Sequence, residues 1–349
     1  VTEASGHVPE RLDEVLSPGW LTAALGRRHP GIEVTGVTRG PTVSRFSTNV
    51  RFGIECAGGV PAGLSPSLCV KGYFTPRGRP ARHAGLPEAL FYRDLADRTG
   101  VRTLRGVYAE ADTGTGANVV ITEDVIAAGG AFLDGRHPYT PDQAADSLEQ
   151  LARLHAVTWG DPSLAAAGWL SSRMGPRTGE AWRAKIEANY TGDTGAGVPE
   201  RVRDVGRLVA AYGALAALVA STRAWTIVHG DPHVGNIFLD GGGRPSLLDW
   251  QLVQRAPWYL DVGYHIASAL TVADRRRHED DLLRHYLDAL AAAGVERPSW
   301  DEAGLGVRRG ALHGFYLWSI TSLVDPEVTS VLLERLGTAV DDHDSYAAV

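Results

Sequence analysis

Beyond residue 142 the sequence carries helical periodicity for most of its length. The one interruption, residues 226–250, constrains the fold more than any other feature. There an apolar strand end, Ile227-Val228, feeds the polar stretch His229-Gly-Asp-Pro-His-Val-Gly-Asn236. Two short runs follow, Asn236–Leu239 and Ser246–Asp249, on either side of Asp240-Gly-Gly-Gly-Arg-Pro, which is a hairpin signal. The expected unit is a loop holding Asp231 and Asn236, with a hairpin that returns Asp249 beside them. Around it, apolar residues at helical spacing predict helices over 142–159, 180–190, 200–221, 261–272, 277–293 and 301–323.

The first 125 residues have a different texture. The first 30 read as helix, with a helix start at Ser17-Pro-Gly-Trp-Leu: Ser17 is the candidate N-cap and Pro18 takes the first helical position. Short strands follow at 32–38, 50–56 and 67–73, then a helix over 87–98 and strands at 107–111 and 118–123. Ala127-Ala-Gly-Gly130 is a candidate hinge, so the expected parts are residues 1–125 and 126–349. Charge divides at nearly the same point. Residues 1–127 hold 14 basic and 13 acidic side chains, residues 128–349 hold 20 and 28.

Composition sets outer bounds. With 349 residues, 44% apolar and 21% charged, wholesale disorder is excluded, and the length suits two domains or one bilobal unit. A net charge of −7 argues against coating nucleic acid or an anionic membrane. The longest apolar stretch, Leu208–Ala220, is too short to span a bilayer. The acidic N-terminus has no apolar h-region and does not read as a secretory signal. Two cysteines, Cys56 and Cys69, cannot build a disulfide framework, so a reducing cytoplasm is the expected setting. Only Lys71 and Lys185 interrupt an otherwise all-arginine set of 34 cations. A lysine that stands against such a bias suits a place where a compact ammonium is wanted rather than a planar fork.

Asp231, Asn236 and Asp249 can divide the work of phosphoryl transfer. One carboxylate accepts a hydroxyl proton, while an amide oxygen and a second carboxylate hold Mg²⁺ on nucleotide phosphates. Taken singly, Asp231 could equally be a turn cap. The string His229-Gly-Asp231-Pro-His233 also permits a metallohydrolase site, although that reading leaves Asn236, Asp249 and Lys71 without roles. A nucleotide-binding pseudokinase acting as an interaction module is a further alternative, which the presence of Lys71, Asp231 and Asp249 disfavours. A protein-directed kinase is disfavoured because no Ala-Pro-Glu follows Asp249.

The pattern His229-Gly230-Asp231-(four residues)-Asn236, followed by a strand ending in Asp249-Trp250, resembles the aminoglycoside phosphotransferase and choline kinase superfamily. Asp249-Trp-Gln and the later Asp261-Val-Gly-Tyr are more like its ecdysteroid kinase-like branch. The resemblance implies an α+β, protein kinase-like bilobal fold: a small β-sheet N-lobe with a helix, residues 1–125, that binds nucleotide, and a mainly helical C-lobe, residues 126–349, with the catalytic loop and acceptor pocket. The implied activity moves the γ-phosphoryl of ATP or GTP to a hydroxyl of a small molecule, with Mg²⁺ and with no nucleic-acid or membrane partner.

The same resemblance distributes roles. Lys71 would contact the α- and β-phosphates, oriented by Glu88 in Pro87-Glu-Ala-Leu-Phe-Tyr; the ordinary readings are a snorkelling strand lysine and a first-turn glutamate. The phosphate-covering loop would be Arg39–Asn49, which has no GxGxxG but offers Ser44, Ser47 and Thr48; a plain hairpin turn is the alternative. Backbone around Glu123, Asp124 and Val125 would hold the purine edge. His229, His155 and Asp261 would brace the loop, and His233 is best read as a packed loop histidine. Trp182, Trp258, Tyr259, Tyr264, His313, Tyr316 and Trp318 are candidates for the acceptor pocket, although aromatics at helical spacing are usually core.

Overall fold

The computed structural model describes residues 8–175 and 179–349, so the first seven residues of the expected N-terminal helix lie outside the described residues. The chain divides into two compact units. One holds the residues up to Ala131 together with Asp240–Gly243 and Asp249–Gln251; the other holds Phe132–Leu239, Arg244–Leu248 and Leu252–Val349.

In the first unit, α1 (Leu12–Val15) and α2 (Pro18–Leu25) precede β1 (Val34–Ser44), β2 (Thr48–Cys56) and β3 (Ser67–Gly72). Next come α3 (Leu86–Asp94), α4 (Ala96–Thr99), β4 (Gly106–Ala111) and β5 (Asn118–Glu123). Ser17 caps α2 by accepting from Trp20 N–H, with Pro18 in the first turn as its fixed φ favours. The strands form one antiparallel sheet in the order β1-β2-β3-β5-β4. Alternation on β2 and β3 buries Val50, Phe52, Ile54, Leu68 and Val70 in one apolar core with Leu21, Val119 and Ile121. Lys71 falls on the opposite face of β3 because it is odd in that register.

In the second unit, β6 (Ala131–Phe132) begins at the unit's edge, followed by α5 (Pro141–Thr158), α6 (Pro162–Ala165), α7 (Glu180–Thr191) and α8 (Val205–Ser221). Then come β7 (Thr226–Val228), β8 (Ile237–Leu239), β9 (Pro245–Leu247) and β10 (Gln254–Ala256). The chain closes with α9 (Tyr259–Ala269), α10 (Val272–Ala292), α11 (Trp300–Ser319) and α12 (Pro326–Asp342). β8 and β9 pair as the expected hairpin, with Ile237 opposite Leu247. α12 departs from the sequence reading, which ended its helices at 323. Its start signal was present in Asp325, whose side chain accepts from Glu327 N–H, and Pro326 at the first position. It buries Leu332, Leu333, Leu336 and Val340 completely. None of the described helices is long and apolar enough to cross a membrane.

Candidate active site

Two clusters carry the polar residues that the sequence singles out. The first lies in the strand-rich unit. Lys71 Nζ stands 2.6 Å from Glu88 Oε2 and 3.1 Å from Asp249 Oδ1. Glu88 reaches it from the first turn of α3, and the carboxylate is almost wholly buried. Burial disfavours the Lys71 ammonium, but Asp249 and Glu88 outweigh it and raise its pKa. Burial pushes the Glu88 carboxyl up, with Lys71 pulling against it.

Asp249 has φ +64°, in the left-handed region that a non-glycine residue holds only where its surroundings fix it. The next residue supplies the fixing. Trp250 is fully buried, stacks on Phe91 at 3.7 Å with an interplanar angle of 13°, and donates from Nε1 to Thr103 Oγ1 at 2.9 Å. Phe91 stands three residues after Glu88, so one face of α3 holds both the lysine's partner and the anchor behind Asp249.

The second cluster is the loop after β7. Asp261, fully buried on α9, accepts from His229 N–H at 2.7 Å, from Gly230 N–H at 2.8 Å and from His155 Nε2 at 3.1 Å. His155 Nδ1 pairs with Tyr286 Oη at 2.9 Å. Burial alone would raise the Asp261 pKa, yet these donors hold it below the usual carboxylate range. His229 accepts from Asp231 N–H at Nδ1 and pairs through Nε2 with the Leu248 carbonyl, one residue before Asp249. Gly230 has φ +87°, and a Cβ there would collide with the Leu252 carbonyl oxygen, so only glycine serves.

The Asp231 carboxylate is held at both oxygens. Tyr264 Oη donates to Oδ1 at 2.8 Å and Asn236 Nδ2 donates to Oδ2 at 3.1 Å, while Asn236 Nδ2 also donates to the Asp231 carbonyl at 2.9 Å. The side chain nonetheless keeps 27% exposure, which leaves it within reach of a substrate.

His265 donates from Nδ1 to the Pro232 carbonyl at 2.7 Å, and its Nε2 has no partner among the described residues. Burial lowers its pKa to about 4. The folded value lies below the unfolded 6.5 or so, so the unfolded chain binds the extra proton between these limits. Stability is therefore full above about pH 6.5 and falls as pH drops towards 4, by on the order of 3 kcal/mol. Urea unfolding at pH 7.5 and 5.0 should show about 2 kcal/mol of this loss, and His265→Asn should reduce it. An equal loss in the variant would remove His265 as the cause.

A model of the phosphotransferase enzyme family matches residues 73–302, about two thirds of the chain and all of the 229–249 loop and hairpin. The chain belongs to this family. It is a small-molecule phosphotransferase with the α+β, kinase-like fold of its relatives. A spectinomycin phosphotransferase solved with ADP and spectinomycin is 11% identical over 94% of this chain and 97% of its own, with TM-score 0.52. A putative aminoglycoside phosphotransferase from Ralstonia eutropha JMP134 is 17% identical over 92% and 98%, also at 0.52. A choline kinase from Streptococcus pneumoniae matches more loosely, at 15% identity over 92% and 98% with TM-score 0.46. No curated protein matches by sequence.

In this phosphotransferase the expected phosphate loop is a tight hairpin. β1 runs to Ser44 and β2 begins at Thr48, with Arg45 N–H bonded to the Ser47 carbonyl and Ser44 Oγ 3.3 Å from Thr48 Oγ1. Strand pairing therefore extends further along 39–49 than expected. At the expected hinge the Asp124 side chain is structural: it accepts from Arg51 Nε at 2.7 Å and from Ile126 and Ala127 N–H. Glu123 pairs with Arg105 at 3.1 Å.

Among the acceptor-pocket candidates, Trp182 is half-buried beneath Lys185, whose Nζ lies 4.3 Å from the ring centre. The others are interior. Trp258 stacks on Tyr286, Tyr316 stacks on Tyr212, and Tyr259 is buried. His313 pairs with the Gly230 carbonyl at 3.3 Å, and burial lowers its pKa. These four serve the core, since their rings find aromatic or backbone partners inside the helical unit. Tyr264 and Trp318 belong instead to the Asp231 network. The spacing of Tyr264 from Asp261, one helical turn, was the signal that could have placed it there.

The metallohydrolase alternative fails on hydrogen bonding. Both ring nitrogens of His229 are engaged, and among the described residues no group of three or more His, Cys, Asp or Glu could hold a metal.

Proposed function

We propose that this chain transfers the γ-phosphoryl group of ATP or GTP to a hydroxyl of a small molecule such as an antibiotic, sugar, steroid or other secondary metabolite. The observation that carries this is Asp231: a carboxylate oriented at both oxygens, pinned through its loop to Asp261, and still partly exposed. In this reading residues 1–125 bind nucleotide and residues 126–349 hold the catalytic loop and the acceptor.

Asp231 accepts the proton of the acceptor hydroxyl as its oxygen bonds to the γ-phosphorus. The bond from that phosphorus to the β,γ-bridging oxygen breaks, and a nucleoside diphosphate leaves. Lys71, held by Glu88, binds the α- and β-phosphates. The tip of the β1–β2 hairpin, with Ser44, Ser47 and Thr48, covers them. The purine edge would use Glu123 C=O and Val125 N–H, because backbone bonds with Arg105, Ser67, Ala128 and Gly130 already take Glu123 N–H, Asp124 N–H and C=O, and Val125 C=O.

The donor set fits Mg²⁺, which prefers a few hard oxygens. Asn236 commits its amide hydrogens to Asp231, which leaves its Oδ1 as the liganding end, and Asp249 offers a carboxylate that is 34% exposed. Asn236 and Asp249 would hold the ion, which supplies charge neutralisation on the phosphates.

A screen of hydroxylated metabolites with ATP or GTP and Mg²⁺ tests the reading. The expected result is nucleotide consumption with one acceptor gaining the mass of a phosphoryl group. Release of inorganic phosphate alone across a broad library would count against it.

A further inference from the structure

We propose that Tyr264 is a positioning residue for phosphoryl transfer, and that Trp318 acts through it by fixing the direction in which its hydroxyl proton points. This rests on the role of Asp231 given above and assigns the machinery that aims it.

One face of α9 grips the loop residue by residue. Asp261 takes the N–H groups of His229 and Gly230, Tyr264 takes the side chain of Asp231, and His265 takes the carbonyl of Pro232. Positions 261, 264 and 265 share a face through the helical i, i+3, i+4 relation, so the order of contacts along the loop follows from helix geometry. Of the three, Tyr264 alone touches the reacting carboxylate.

The direction of the tyrosine's hydrogen bond is settled by chemistry. Trp318 Nε1 lies 2.5 Å from Tyr264 Oη, and an indole N–H can only donate. The tyrosine oxygen is therefore the acceptor there, and its own proton goes to Asp231 Oδ1. An ionised carboxylate can only accept, so the chain Trp318 → Tyr264 → Asp231 admits one polarity. The other carboxylate oxygen takes Asn236 Nδ2, so the plane of the carboxylate is fixed by donors on two sides.

The neighbouring helix is cut to fit this arrangement. α9 and α11 approach closely at Gly263 and Gly310, where a Cβ on either would strike backbone of the other helix. On α11, Gly314 faces the Tyr264 ring, and a Cβ there would collide with Cδ2. Trp318 is one turn further along the same helix. Thus α11 makes room for the ring at one turn and anchors its hydroxyl at the next. A phenylalanine would satisfy the packing alone; the buried hydroxyl between a committed donor and the Asp231 carboxylate is what packing does not require.

The test is a mutant cycle of Tyr264→Phe, Trp318→Phe and the double variant. Turnover would be measured with Mg·ATP and Mg·GTP, with water as acceptor and with any hydroxyl compound found in the screen. Loss of a hydrogen bond to a charged group predicts about a tenfold to hundredfold lower kcat for Tyr264→Phe, with KM for nucleotide unchanged. Trp318→Phe should lower kcat severalfold in the parent protein and add nothing in the Tyr264→Phe background. A structural role would give additive effects instead. Circular dichroism and urea unfolding establish that each variant folds, and Trp318→Phe alone carries the comparison if Tyr264→Phe does not. A kcat for Tyr264→Phe within twofold of the parent, or equal Trp318 effects in both backgrounds, would overturn the proposal. Asp231→Asn in the same assay separates the two levels: if it keeps full turnover, the role of Asp231 itself is wrong.

Discussion

Replacing Asp231 with Ala should reduce phosphoryl transfer by at least about a thousandfold while nucleotide affinity stays within a few-fold of the parent protein. In the proposed reading the substitution removes the group that would receive the acceptor's proton, and it leaves the pairing of Lys71 with Glu88 and Asp249 untouched. Tyr264 Oη and Asn236 Nδ2 lose an acceptor, and some loss of stability should accompany the loss of rate. The check is turnover of the screened acceptor beside calorimetric binding of Mg·ATP. Residual turnover within tenfold of the parent would remove Asp231 from the chemistry. Loss of nucleotide affinity in parallel would mean that the loop serves binding instead.

The largest effect on stability is expected at Asp261. Asp261→Ala strands two backbone N–H groups and one imidazole in a fully buried position, where each had a charged acceptor. An unmet buried donor costs about 1–3 kcal/mol, and breaking a buried charged network about 3–5 kcal/mol in all. Denaturant unfolding at neutral pH should read a loss of that size. A loss under about 1 kcal/mol would show that the loop finds other acceptors. Because the Asp261 pKa is lowered on folding, its contribution is present above the unfolded carboxylate value. It disappears as pH falls through the folded one, so the difference between parent and variant should shrink in strong acid.

Some of this protein was legible before any coordinates. The order and spacing of His229, Gly230, Asp231, Asn236 and Asp249 are local facts, since a loop and a two-stranded hairpin are specified by turn residues a few positions apart. The same holds for Ser17 and Pro18 at the start of α2, and for Lys71, set by strand alternation on the face away from the core. α12 lies beyond the expected helices, which end at 323, although its cap, Asp325 followed by Pro326, is written in the sequence. For 39–49 the sequence leaves a phosphate loop and a plain hairpin turn both open, because strand pairing there depends on register with β2, which composition does not encode.

What tertiary structure alone decided is which polar groups meet. The pairing of Lys71 with Glu88 and Asp249, the stacking of Trp250 on Phe91, and the donation from Trp318 through Tyr264 to Asp231 join residues up to 178 positions apart. Sequence periodicity marks such aromatics as buried, since burial recurs with the helical turn. It is silent on which hydroxyl faces which carboxylate, because that depends on how closely two helices approach, and here glycines on α9 and α11 set the approach.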